Sequence, residues 1–158
     1  QNRSQALYND SGTLEISYKP SVQSYVIRDL TASKALYTWL EKDFLFYFGD
    51  QYQWIGNTLF FVPNYPNWTC KYWHQTTGMV YPATPITCDI SPNGDYALIF
   101  PMLPVEKAYL LDTVTGQQYD INFYAIDGVF SPDGRQIALV SGTELTIWTV
   151  DEIIAMYD

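Results

Sequence analysis

The most regular part of the chain reads SPDGRQIALV at residues 131–140 and LTIW at residues 145–148. Proline fixes one backbone angle early in a turn and glycine accepts the later position, so the Ser-Pro-Asp-Gly run predicts a tight turn. The apolar run that follows the turn predicts a strand, and LTIW predicts its antiparallel partner. The basic unit is therefore a turn, a strand, a loop and a second strand.

The same unit occurs four times along the chain. Its tight turns lie at residues 10–13, 55–58, 91–94 and 131–134, and its second strands end near residues 28, 73, 111 and 148, at steps of 45, 38 and 37 residues. A period in this range, in strand-rich sequence, is typical of β-propeller blades. We predict a single all-β, propeller-type domain over residues 1–158, with repeats at about 6–40, 44–85, 86–125 and 126–158.

The repeats also predict a difficulty with ring closure. Four blades are few for a propeller, and the fourth repeat ends before a complete outer strand. An open ring exposes strand edges, which proteins normally cover. The segment at residues 6–9 could complete the last blade, the chain could belong to a larger ring, or a partner chain could supply strands. The sequence is compatible with all three.

These repeats resemble the WD40-like repeat of TolB-type and related propellers. The resemblance is strongest over residues 86–150, through the turns at 91–94 and 131–134 and the runs LLDTVTG at 110–116 and LTIW at 145–148. WD40 blades end their second strand in Trp-Asp, whereas the equivalents here are Arg28-Asp29, Trp73-His74, Leu111-Asp112 and Trp148-Thr149. The resemblance therefore implies the propeller architecture and the bacterial-type relatives, and it implies little about function.

Composition excludes several classes of partner. The formal net charge is −9, and only 16% of the residues are charged. Nucleic acids and anionic lipids both require clustered Lys and Arg, so neither is an expected partner. No run approaches the roughly 18 apolar residues that a membrane-spanning helix needs. The aromatic content of 17% favours half-buried, pleated strands.

Several features favour a location outside the cytoplasm. The chain begins at Gln1 without a leader pattern, which is expected if a signal peptide has been removed or if the sequence is an excerpt of a longer one. Candidate glycosylation sites lie at Asn2, Asn9 and Asn67. A disulfide between Cys70 and Cys88 would close an 18-residue separation, and the alternative is two buried thiols. We therefore expect a secreted, cell-surface or periplasmic protein.

The sequence offers no recognisable catalytic or metal site. His74 is the only histidine, and it occupies a strand-end position held by aspartate in two other repeats, which favours a structural role. There is no Gly-x-Ser-x-Gly elbow, no Cys-x-x-Cys pair and no phosphate-binding glycine loop. We expect no enzyme activity, no metal and no cofactor.

Aromatic residues in the second repeat are the best binding candidates. They are Trp54, Tyr65, Trp68, Tyr72, Trp73 and Tyr81. The structural alternative is that they pack at the blade edge. The leading functional prediction is a non-catalytic extracytoplasmic scaffold or protein-interaction module within a larger assembly. The alternatives are a carbohydrate-binding module that uses exposed loop aromatics, and a regulatory propeller segment of a multidomain hydrolase.

Overall fold

The computed structural model describes residues 5–40, 51–62, 71–80, 85–101, 107–121 and 124–157. Within this part the chain forms four antiparallel sheets in sequence order. Sheet 1 contains β1 (Leu7–Tyr8), β2 (Leu14–Lys19), β3 (Ser24–Asp29) and β4 (Lys34–Leu40), with a 3-10 turn at Pro20–Val22. Sheet 2 contains β5 (Gln51–Ile55), β6 (Thr58–Val62), β7 (Lys71–His74) and β8 (Gly78–Val80).

The second half of the chain repeats this pattern with one change. Sheet 3 contains β9 (Pro85–Ile90), β10 (Tyr96–Pro101), β11 (Tyr109–Asp112) and β12 (Gln118–Asp120). Sheet 4 contains only β13 (Asp127–Phe130), β14 (Gln136–Ser141) and β15 (Glu144–Thr149), after which the chain enters helix α1 (Val150–Ala155). The all-β, blade-like fold predicted from the repeats is therefore confirmed.

The N-terminal strand corrects one expectation about closure. Leu7 lies opposite Ile16 and Tyr8 opposite Glu15, so β1 is the first strand of sheet 1. The segment at residues 6–9 therefore does not complete sheet 4. Hydrogen bonds to β2 hold β1 at the opposite end of the array from the three-stranded sheet.

The first turns of sheets 1, 3 and 4 share the hydrogen-bonded conformation that their sequences predict. In sheet 3 the Gly94 amide donates to the Ser91 carbonyl and the Ser91 amide donates to the Tyr96 carbonyl, each at 2.9 Å. The Ser91 hydroxyl also accepts a hydrogen bond from the Tyr96 amide at 2.9 Å. Ser131 makes the same set of bonds in sheet 4. In sheet 1 Asn9 takes the place of the serine, and its side-chain oxygen accepts from the next strand at 2.8 Å.

Three apolar layers join the four sheets into a row. The layer between sheets 1 and 2 includes Ile16, Ile27, Leu59 and Trp73. The layer between sheets 2 and 3 consists of Phe60, Tyr72, Ala97, Ile99, Tyr109 and Leu111. The layer between sheets 3 and 4 includes Leu98, Leu110, Ile137 and Leu139, together with Val150 and Ile153 of α1. Among the described residues no such layer joins sheet 4 to sheet 1, so the row of blades stays open.

Candidate interaction surfaces

Three of the aromatic binding candidates are core residues. Trp54 and Trp73 are 8% and 2% exposed, and their rings meet edge to face at 6.2 Å in the layer between sheets 1 and 2. Tyr72 is fully buried in the next layer, where burial raises its pKa to about 12. Side chains buried to this degree cannot stack on a ligand, so they stabilise the sheets.

The other three aromatic candidates, Tyr65, Trp68 and Tyr81, lie outside the described residues. An exposed aromatic site would have to be built from them, and its binding role stays a prediction. The glycosylation candidates Asn2 and Asn67 also lie outside the described part.

Asn9 is held inside the first turn of sheet 1. It is 4% exposed, and its side-chain nitrogen donates to the hydroxyls of Ser11 and Thr13 and, at 2.7 Å, to the side-chain oxygen of Asn57. These bonds join the turns of sheets 1 and 2. Asn9 therefore has a structural role, and its side-chain nitrogen is not accessible for a glycan in the folded protein.

The strand-end positions that correspond to Trp-Asp share one structural role. Asp29 accepts hydrogen bonds from the Thr31 hydroxyl at 2.6 Å and from the amides of Ala32 and Thr31 at 3.0 and 2.8 Å, and these bonds lower its pKa. Asp112 accepts from the amides of Val114 and Thr115 at 2.8 and 2.9 Å. Each side chain thus stabilises the turn that follows its strand.

His74 stabilises its turn in the same way. Its Nδ1 lies 2.8 Å from the Thr76 hydroxyl and 3.2 Å from the Thr76 amide, so the ring is held against the turn that follows β7. Burial lowers the pKa of His74, although the nearby carboxylates of Asp95 and Asp112 act to raise it. The ring is therefore neutral near pH 7. Over the described part of the chain, no three His, Cys, Asp or Glu side chains are placed to bind a metal.

The first turns of sheets 2 and 3 are in direct backbone contact. Gly56 and Gly94 both adopt positive φ, at +56° and +78°. A methyl group on Gly56 would lie 2.2 Å from the Asn93 carbonyl oxygen, and one on Gly94 would lie 2.1 Å from the Ile55 carbonyl oxygen. Only glycine fits at these two positions, so this end of the molecule is tightly packed and offers no cleft between the two turns.

The outer face of sheet 4 is an apolar surface that the described part of the fold leaves uncovered. Strand register places five apolar residues on the side opposite the sheet 3 contact: Val129, Ala138, Val140, Leu145 and Ile147. Val129 is 55% exposed, and Leu145 and Ile147 are each 65% exposed. Tyr124 and Ile126, just before β13, are also exposed. Clustered exposed apolar residues of this kind are typical of an interaction surface.

The outer face of sheet 1, at the other end of the row, is more polar than that of sheet 4, although Tyr8 and Leu40 also lie on it and are 53% and 38% exposed. Glu15 lies opposite Arg28, with 4.0 Å between their charged groups, and Ser17 and Thr38 flank the buried Val26. A polar face can remain in water without cost, whereas an apolar face gains free energy when it is covered. The two ends of the row are therefore chemically different.

Sequence reasoning identified the strands of sheet 4 but not its uncovered face. Leu145 and Ile147 alternate with Thr146 and Trp148, so the pattern shows two distinct faces. It does not show which of them is covered, because that depends on the neighbouring sheet.

No protein family model matches this chain, and no curated protein matches its sequence. Among solved structures it is similar to a chain in "Crystal Structure of Mitotic Checkpoint Complex", with 15% identity and a TM-score of 0.41, over 93% of this chain and 48% of that chain. It is also similar to a chain in "Kuenenia stuttgartiensis Hydrazine Synthase", with 15% identity and a TM-score of 0.40, over 92% of this chain and 50% of that one. The chain thus spans about half the length of these two neighbours. Within the described residues, no helix has the length and hydropathy needed to span a bilayer.

Proposed function

We propose that this chain is a non-catalytic protein-interaction module, built from WD40-like, TolB-type blades, that acts as a scaffold subunit in a larger assembly. The observation that carries the proposal is the outer face of sheet 4. Its three exposed aliphatic side chains are 55–65% exposed in the chain alone. Covering them would contribute roughly 3–5 kcal/mol to association.

The charge of the chain limits the partner. A formal net charge of −9 disfavours acidic partners and nucleic acids and favours neutral or basic proteins. The turn-stabilising role of His74 supports the non-catalytic part of the proposal, because its Nδ1 is in hydrogen-bond contact with Thr76 of the following turn.

We further propose that the module works outside the cytoplasm and contains a Cys70–Cys88 disulfide. Low charge and the candidate glycosylation sites support this location, and the described part of the chain contains no free cysteine thiol. Titration of thiols in the denatured, unreduced protein tests the bond. No reactive thiol is expected, and two reactive thiols would contradict the disulfide.

Native mass spectrometry of the protein isolated from its own source tests the scaffold proposal. The expected result is a complex heavier than the 18.2 kDa chain. The matched variants are Ile147→Thr on the outer face of sheet 4 and Thr38→Ser on the outer face of sheet 1. The first should weaken the complex and the second should not, and a lone particle near the chain mass for the unmodified protein would contradict the proposal.

A further inference from the structure

Within the described residues, sheet 4 lacks the strand that covers the corresponding edge of the other three sheets. In sheets 1, 2 and 3 the third strand pairs with an antiparallel fourth strand: β3 with β4, β7 with β8 and β11 with β12. In sheet 4 the chain passes from β15 directly into α1, and β15 is the end strand of its sheet among the described residues. An end strand presents backbone donors and acceptors that can pair with another chain.

Hydrogen bonding fixes which groups of β15 face outward. The Val150 amide donates to the Arg135 carbonyl at 3.0 Å, which marks a bonded pair between β15 and β14. Bonded and non-bonded pairs alternate along an antiparallel ladder. Trp148 and Thr146, two and four residues earlier, therefore direct their backbone groups towards β14. The backbone groups of Leu145 and Ile147 point away from the sheet.

The start of α1 sets one limit of this open edge. The Thr149 amide, the next outward-facing group, donates to the Glu152 carboxylate at 2.7 Å. Val150 and Ile153 turn inward and are buried between sheets 3 and 4. Among the described residues no other strand pairs with the outward backbone groups of Leu145 and Ile147, and α1 begins only at Val150. The edge has room for a short strand that ends before Thr149.

Charge at the two ends of the edge disfavours a second copy of this chain as the occupant. Antiparallel pairing of two β15 strands about Ile147 would bring Glu144 of one copy beside Asp151 and Glu152 of the other, at both ends of the pair. Like charges at close range are destabilising, and each copy also carries a net charge of −9. The same acidic residues would attract a strand with basic ends.

We propose that β15 accepts an extended segment of a partner protein as the fourth strand of sheet 4. The segment pairs antiparallel to β15, as the fourth strands of the other sheets do. Their lengths of three to seven residues define its size. It carries β-branched residues at alternate positions, which extend the outer face of sheet 4, and Lys or Arg at its two ends, from which a long side chain can approach Glu144 at one end and the acidic first turn of α1 at the other. This inference rests on the proposed scaffold function and specifies where and how the partner binds.

A synthetic peptide tests the proposal on the full 158-residue chain. The probe is a fluorescein-labelled heptapeptide of alternating valine and threonine with a lysine at each end, and its binding is followed by fluorescence anisotropy. Two control peptides replace both lysines by glutamate, or carry N-methyl groups on the backbone amides of both edges, so that neither edge can pair. Saturable binding of the lysine peptide alone is expected, because the strand needs both its backbone donors and its basic ends.

Two substitutions at one position separate edge pairing from simple apolar contact. Ile147→Pro removes an outward amide that has no role in the β14 ladder, and end strands tolerate proline at such positions. Ile147→Thr keeps the amide and removes apolar surface. Proline should weaken peptide binding at least about tenfold, the equivalent of one lost hydrogen bond, whereas threonine should weaken it by less than about threefold.

Three outcomes would overturn the proposal: no saturable binding of the lysine peptide, equally tight binding of the N-methylated peptide, or a larger loss with threonine than with proline. The N-methylated peptide gives a decisive answer even if the proline variant fails to fold. A native complex that survives in a folded Ile147→Pro protein would also overturn strand addition while leaving the scaffold function intact. Absence of any native complex would instead remove the scaffold function itself.

Discussion

Replacing Gly94 by alanine should separate sheets 2 and 3. The added methyl group would lie 2.1 Å from the Ile55 carbonyl oxygen, whereas ordinary contact begins at 3.4 Å. The two turns would have to move apart by about 1.3 Å, the difference between these distances. That movement would strain the 3.4 Å contact between the hydroxyls of Thr58 in sheet 2 and Thr113 in sheet 3, and it would loosen the apolar layer behind it.

The magnitude follows from comparison with Gly12, the equivalent glycine of sheet 1. Gly12 has a φ of +68°, and nothing lies within 4 Å of a methyl group placed on it. Gly12→Ala therefore incurs only the cost of a left-handed backbone, about 1–2 kcal/mol. Gly94→Ala incurs this cost and an overpacking penalty of about 1–3 kcal/mol. The effect of alanine on the unfolded chain is common to both variants and cancels in the comparison.

Urea unfolding followed by tryptophan fluorescence measures the difference. The five tryptophans report on the fold, and the linear dependence of unfolding free energy on urea gives each variant's stability. The Gly94→Ala protein should be less stable than the Gly12→Ala protein by about 1–3 kcal/mol. Equal losses for the two variants would refute the direct contact between the turns of sheets 2 and 3.

Other substitutions test the remaining parts of the structure. Leu139 is fully buried, so Leu139→Ala should lower the free energy of unfolding by about 2–5 kcal/mol. Leu145 is 65% exposed, so Leu145→Ala should lower it by less than about 0.5 kcal/mol. Comparable losses in urea unfolding would contradict the assignment of the two faces of sheet 4. Burial lowers the pKa of His74, so the unfolded state binds a proton at this residue more readily than the folded state. The free energy of unfolding should therefore fall as the pH drops from about 7.5 through about 6.5. The His74→Gln protein should show a flatter pH dependence, and identical profiles would be inconsistent with a buried, neutral ring. Thr149→Ala removes the hydroxyl that accepts from the Glu152 amide at 3.1 Å and should cost about 1 kcal/mol in thermal unfolding, whereas Thr149→Ser should be nearly neutral.

The repeat structure was predictable from sequence because each turn carries its own local signal. The Ser-Pro-Asn/Asp-Gly runs at 91–94 and 131–134 specify a backbone conformation that does not depend on the rest of the fold. The structural role of the strand-end residues was likewise accessible, since Asp29, His74 and Asp112 recur at one position of the repeat. Local chemistry thus located the strands and their connecting turns.

The faces of the strands were not predictable in the same way. Trp54 and Tyr72 were candidates for binding because exposed aromatics suit that role, but each lies in an apolar layer between two sheets. Burial of a side chain depends on which sheet packs against it, and one sequence period cannot distinguish a covered face from an open one. For the same reason the exposed face at Leu145 and Ile147 became visible only in the structure.

Hydrogen exchange is the most direct test of the claim that the chain joins an assembly through sheet 4. The native assembly and the isolated chain would be compared by mass spectrometry after exchange in deuterated buffer. Protection on assembly is expected in segments covering residues 127–149, with segments covering residues 14–40 of sheet 1 unchanged. Protection confined to sheet 1, or no difference across residues 127–149, would contradict the account.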